Sequence, residues 1–206
     1  MRHAVVSMRL FVFTRHAEST LNHESRVNGD PSRPAPLTEN GREQARRLGL
    51  QVRSVPLDLC VHTRFPRTRE TAEVALERRE VPLRTEPLLD DIKIGELEGQ
   101  TLDEYRAWKH RHTRADRFPG GESLDEAAER YARALRTLLD DDAQATLVVC
   151  HEIPIRYALN AAAGSSDLDG PVHDVPNATP FLFGEDVLGR AAQTMARLAA
   201  ATSGSH

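Results

Sequence analysis

An arginine and a histidine, Arg15 and His16, stand together where the apolar run at residues 9–14 (RLFVFT) gives way to polar chain. A second run, TLVVC at residues 146–150, ends in the same manner at His151. An imidazole near neutrality is both a nucleophile and a proton carrier, and a guanidinium fork holds two oxygens of an anion at once. Alone, either histidine is an ordinary loop residue or a satisfied core group. Two that each close a buried strand, one of them beside an arginine, meet at the carboxyl edge of a sheet, which is where ligands bind in open α/β folds.

Bulk properties narrow what could bind there. The chain has 206 residues, 39% hydrophobic and 28% charged, a size and balance suited to one packed domain over residues 1–206. A net charge of -4 with a pI near 6.1 lacks the basic excess by which nucleic-acid binders attract a polyanion. An anion site must therefore be a local basic pocket in an acidic surround, which suits a small phosphorylated substrate. The two cysteines, Cys60 and Cys150, lie in apolar runs, so no disulfide framework is indicated and a reducing cytosol fits. No leader with a cleavage site and no stretch near 18 apolar residues is present, so a cytoplasmic protein without membrane contact is expected. The oligomeric state is not encoded in any readable way, and a homodimer is left open.

The positioning elements follow from periodicity and caps. Strands are expected at residues 9–14, 57–62 and 146–150, all short, apolar and rich in branched or aromatic side chains. Thr38 caps a helix to about Val52, a helix runs over 66–79 with Pro66 in its first turn, and another runs over 154–163 before Gly164. Thr101 with Glu104, and Ser123 with Glu126, match the capping box and start two more helices. Residues 21–36, with Gly29 and three prolines, form a long loop; 187–201 is an Ala-rich helical tail; and the final TSGSH frays. Strands alternating with helices imply an α/β fold, a mostly parallel central sheet with helices on both faces in three layers.

With these residues in place the sequence resembles the histidine phosphatase, or phosphoglycerate mutase-like, superfamily, over residues 9–183. The signature is the Arg15–His16 pair closing the first strand, followed in order by Asn22, Arg26 and Gly29, then Leu37, Thr38, Gly41 and Gln44. The resemblance nominates Arg67 in HTRFPRTRETA as a second phosphate-binding arginine, with Thr63 as a further contact, and Asp91 in LLDDIKIGELEG as the acid. PGGES at 119–123, CHEIPIR with His151 and Arg156, and Asn177 to Thr179 complete the match.

The resemblance implies a metal-independent phosphatase without cofactor. His16 takes the phosphoryl group and passes it to water; Arg15, Arg67 and a protonated His151 hold the oxygens; and Asp91 is the general acid and then base. Its pKa would be raised by burial or by a like charge such as Glu18. Asn22, Arg26, Thr63 and Glu152 would touch substrate. Nothing reads as a metal site; His110 and His112 are too closely spaced for one helix face and look like surface residues. Three departures stand out. Ala17 and Glu152 replace glycines, the first expected to disfavour left-handed backbone and narrow the approach to phosphate. Glu152 would repel phosphate unless turned aside or matched to a cationic part of the substrate. The acid is aspartate where many relatives have glutamate. The alternatives are a mutase-type phosphotransferase and a non-catalytic protein that binds phosphate ligands.

Overall fold

The computed structural model describes residues 9–203. The expectations for the first eight residues and for 204–206 lie outside the described residues. The chain order is β1 (Leu10–Arg15), α1 (Thr20–His23), α2 (Glu39–Gln51), β2 (Leu59–His62), α3 (Pro66–Ala75), β3 (Leu83–Thr85), α4 (Leu102–Arg111), α5 (Leu124–Leu139), β4 (Ala145–Cys150), α6 (Glu152–Ala162), β5 (Pro180–Gly184) and α7 (Glu185–Ser203). Single 3-10 turns at Pro87–Leu89 and Gly95–Leu97 lie between β3 and α4.

The sheet order is β3-β2-β4-β1-β5, parallel throughout except for antiparallel β5. Successive strand residues point to opposite faces, and the core divides accordingly. Phe11, Phe13, Val61, Val148 and Cys150 join the cluster under α5, α6 and α7. Val12, Cys60, Leu147 and Val149 join the cluster under α2 and α3. Both faces being covered is why these strands read as continuous apolar runs. The expected three-layer α/β fold is the observed one.

Several boundaries differ for local reasons. β1 runs through Arg15, so that side chain leaves from the strand itself. The third helix stops at Ala75, because Leu76 is its C-cap and the Arg79 guanidinium turns back onto the carbonyls of Val52 and Val55, at 3.0 and 2.6 Å. α6 begins at Glu152 with His151 as N-cap, two residues earlier than expected. α7 extends to Ser203, so Thr202 and Ser203 belong to the helix. Both expected capping boxes are present, at Thr101 and Ser123.

One glycine fixes how the helices meet the sheet edge. A Cβ at Gly41 would overlap the Glu18 carbonyl oxygen, so the start of α2 can lie against the loop that follows β1. Thr38 N–H donates to that carbonyl at 3.0 Å, and Glu18 N–H donates to Gln44 Oε1 at 2.9 Å.

Candidate active site

The site begins with register. β1 and β4 are hydrogen-bonded neighbours in which Arg15 pairs with Cys150, so the next residues, His16 and His151, leave the sheet side by side. His16 N–H donates to Cys150 O at 2.9 Å, and the imidazole centroids are 5.4 Å apart. β2 lies on the other side of β4 and leads through Thr63 into α3, whose first turn carries Arg67.

Hydrogen bonds fix both tautomers. His16 Nδ1 lies 2.8 Å from the Ala17 carbonyl oxygen. A carbonyl only accepts, so Nδ1 carries the hydrogen and Nε2 keeps its lone pair. That Nε2 accepts from Arg67 Nε at 2.9 Å. His151 Nε2 donates to Thr63 Oγ1 at 3.0 Å, Thr63 Oγ1 to Thr68 Oγ1 at 2.9 Å, and Thr68 Oγ1 to Phe65 O at 2.8 Å. A chain ending on a carbonyl leaves His151 Nδ1 as acceptor, 3.2 Å from Arg67 Nη2. Burial, followed by the charge of Arg67, holds both imidazoles well below the usual 6.5, so both are neutral at neutral pH.

Arg67 organises the centre. Besides His16 and His151, it donates to Asn28 through Oδ1 and the backbone oxygen and to Asp91 Oδ2 at 3.1 Å. The residue is only 3% exposed, and burial pulls its pKa down to about 10 against the pull of Asp91 and Glu98. It remains charged at neutral pH. Glu98 in turn fixes the loop that carries Asn28, accepting from Asn28 Nδ2 and Gly29 N–H at 2.7 Å each.

The adjacent aspartates are sorted by their partners. Asp90 accepts from Arg64 N–H and Nε at 3.0 and 2.6 Å, away from the histidines. Asp91 Oδ1 accepts from Ile92 N–H at 3.0 Å, and Oδ2 faces Arg67 and His151 Nδ1, the latter at 3.4 Å. Burial holds the Asp91 carboxyl above the usual range against Arg67, the Ile92 N–H and Arg15, and the charge of Glu152 adds to the rise. Glu18 has no such part: its Oε1 accepts from Thr38 Oγ1 at 2.6 Å, and that bond holds its own pKa down. The like charge expected from Glu18 comes from Glu152 instead. Arg130 of α5 sets the backbone here, donating to the carbonyls of Leu88, Asp90 and Asp91 while paired with Glu122.

A cavity of about 560 Å³ opens over these groups. Arg15, His16, Arg67, Asp91, Asn22, Arg26 and Glu152 all line it. Asn22 Oδ1 also closes the cap of α1, accepting from Ser19 N–H and Oγ, while Arg26 reaches Gly99 O at 2.7 Å from the mouth. His151 and Thr63 are fully buried and lie outside the lining. Thr63 was expected at the phosphate, but its hydroxyl is spent on His151 and Thr68. α4 contributes Tyr105, Arg106 and Lys109 to the outer wall.

A profile of the histidine phosphatase superfamily (branch 1) matches residues 11–180. The chain belongs to this superfamily. Among relatives, the protein named probable phosphoglycerate mutase GpmB of Salmonella choleraesuis is 28% identical over 73% of each chain. YhfR of Bacillus stearothermophilus is 28% identical with a TM-score of 0.72, over 84% of this chain and 89% of that one. The alpha-ribazole phosphatase of Shigella flexneri has the same fold, with a TM-score of 0.74 at 23% identity over 84% and 89%.

Two departures from the histidine phosphatase pattern can now be placed. Ala17 has no positive φ, so its methyl group carries no backbone strain. It is fully buried in the apolar cluster under α2 and α3, and its N–H donates to Thr71 Oγ1 at 3.0 Å. Ala17 is not among the residues that line the cavity, so its methyl group does not narrow the approach to phosphate as expected. Glu152, at the first position of α6, pairs with Arg15 at 3.0 Å and with Arg156 at 3.5 Å. Its charge is turned onto two arginines of the cavity wall. His110 and His112 are exposed, and His112 stacks on Trp108 at 4.0 Å.

Proposed function

We propose that this protein is a phosphatase that hydrolyses small phosphomonoesters through a phosphohistidine on His16. The observation that carries the reading is the Nε2 lone pair of a neutral His16, held against the Arg67 guanidinium on which Asp91 and His151 also converge. The phosphatase names among its structural relatives support it.

In the first step His16 Nε2 attacks phosphorus, the bond to the ester oxygen breaks, and protonated Asp91 gives its proton to the leaving alkoxide. In the second, ionised Asp91 takes a proton from water, whose oxygen attacks phosphorus as the P–N bond breaks, releasing phosphate. Arg15 and Arg67 neutralise the equatorial oxygens throughout, a positioning and electrostatic role that carries most of phosphoryl-transfer catalysis. His151 contributes as a neutral imidazole whose Nδ1 accepts from Arg67, where a protonated group had been expected.

The test is a panel of sugar phosphates, nucleotides and phosphoamino acids assayed for phosphate release, with His16→Ala as control and with labelled protein sought after an alkaline quench. Release that disappears in the variant, with an acid-labile label on the wild type, is the expected result. Release that persists in His16→Ala overturns it. The name of the GpmB relative favours a second reading, transfer back to substrate, and 3-phosphoglycerate isomerised faster than phosphate is released would establish it. Tight binding without His16-dependent release of any ester would favour a phosphate-binding protein.

A further inference from the structure

Three cations of the cavity wall, Arg15, Lys109 and Arg156, each have a carboxylate partner. Arg156 lies 2.7 Å from Asp169 as well as 3.5 Å from Glu152, Lys109 lies 3.9 Å from Asp169, and Arg15 lies 3.0 Å from Glu152. The Glu152 carboxylate is the hub. It is the residue immediately after His151, lines the cavity, and is 31% exposed there. Its place at the start of α6 puts it at the positive end of the helix, where a carboxylate is well held. A bound phosphoryl group draws on Arg15, leaving the Glu152 charge beside whatever the phosphate is attached to.

We infer that Glu152 is a charge filter: the site accepts phosphomonoesters whose remaining part is neutral or cationic and rejects those with a second anionic group near the phosphoryl. This deepens the phosphatase reading and rests on it. Glu152 does so from its place between Arg15 and Arg156, so a substrate carboxylate meets a like charge in place of a free guanidinium. Two unit charges about 6 Å apart at a partly exposed site repel by enough, after screening, to change relative rates about tenfold.

Glycerol 3-phosphate and 3-phosphoglycerate form a matched pair that differs chiefly in a hydroxymethyl against a carboxylate. For wild type the ratio of kcat/KM is expected to favour glycerol 3-phosphate about tenfold, and in Glu152→Gln to fall to within about twofold, through a lower KM for 3-phosphoglycerate. Glu152→Gly should behave alike. An unchanged ratio in Glu152→Gln, or a wild-type preference for 3-phosphoglycerate, overturns the filter. So does an equal loss on both esters, which would mean that Glu152 only holds Arg15 in place. If wild type hydrolyses neither ester, the phosphatase reading is decided by the wider ester panel and not by this pair. Calorimetric titration of the two esters onto wild type and Glu152→Gln then tests the filter by itself: a binding preference that vanishes in the variant supports it, and one that does not overturns it.

Discussion

At the scale of single residues, the site is built from groups whose usual charge states are unwelcome where they sit. His16 and His151 are held neutral by burial beside Arg67, and Asp91 is held toward its protonated form by burial. These differences link stability to pH. A histidine with a folded pKa below its unfolded 6.5 stays neutral while the unfolded chain takes a proton. Its contribution is therefore intact above 6.5 and is lost as pH falls from there toward the folded value. Asp91 slopes the opposite way, since its raised pKa makes the folded form bind the extra proton in the window above 3.8. Two imidazoles oppose one carboxyl, and each tenfold difference in proton affinity between folded and unfolded chain is worth about 1.4 kcal/mol. Urea unfolding followed from about pH 7.5 to 5 should show stability falling on acidification, with a shallower slope in His16→Asn. Equal slopes would mean that His16 titrates normally in the folded protein. Much of this centre was legible as sequence, since Arg15 with His16, and His151, each end an apolar strand. The tautomers and the neutral state of His151 were not legible, because they depend on Ala17 O, Thr63 and Thr68, contacts that arise only from packing. Asn28 was hidden for a similar reason: an asparagine before glycine in a loop reads as a turn residue, and its hold on Arg67 spans 39 positions.

At the scale of elements, legibility followed the strength of local signals. α5 shows both kinds of signal, a capping box at Ser123 and Glu126 and an apolar side that includes Ala127, Tyr131, Ala134, Leu135 and Leu138, all buried. β3 was invisible because its three residues, Leu83 to Thr85, lie at the sheet edge with both end residues exposed and have no apolar alternation to display. α1 is a single turn inside what reads as loop, begun by a box between Ser19 and Asn22 whose signal is too short to stand out. The α5 cap offers a test of how tightly an element is tied to the whole. Ser123 Oγ accepts from Glu126 N–H at 3.1 Å, and Glu126 returns the bond to Ser123 N–H at 2.8 Å. Ser123→Ala should cost about 1 kcal/mol, a fall of roughly 2–4 °C in Tm for a chain of this size. Scanning calorimetry reads the shift, and phosphate release per folded molecule is expected to stay at the wild-type value. A fall in turnover without a fall in Tm would instead give Ser123 a part in the chemistry.

At the scale of the whole molecule, the segment between α6 and β5 has to be tied down, because it brings Val175 to Arg15 and sets His173, Asp174 and Asn177 along the cavity. Asp169 does the tying. Its carboxylate meets Arg114 at 2.5 Å, Arg156 at 2.7 Å and Lys109 at 3.9 Å, so one residue joins α4, the approach to α5, and α6. Burial pushes its pKa up, but Arg114, Lys109 and Arg156 outweigh this and hold the carboxyl below its usual range. By the sign of that shift its contribution is present above 3.8 and is lost as pH falls through the folded value. Asp169→Asn keeps the shape, removes the charge, and leaves partly buried cations without their partner. Charge-assisted hydrogen bonds of this kind are worth about 1.5–3 kcal/mol, and a loss of about 2 kcal/mol is expected at neutral pH, less at high salt. The same change frees Arg156 and Lys109 of a counter-charge at the wall, so KM for phosphomonoesters should shift in Asp169→Asn while kcat, governed by the groups around His16, changes by less. Chemical denaturation at neutral and acid pH, together with kcat and KM on one ester, checks both halves. Stability equal to wild type at neutral pH would mean that the loop is held by its bonds to Asn160 and that the ion pairs contribute nothing net.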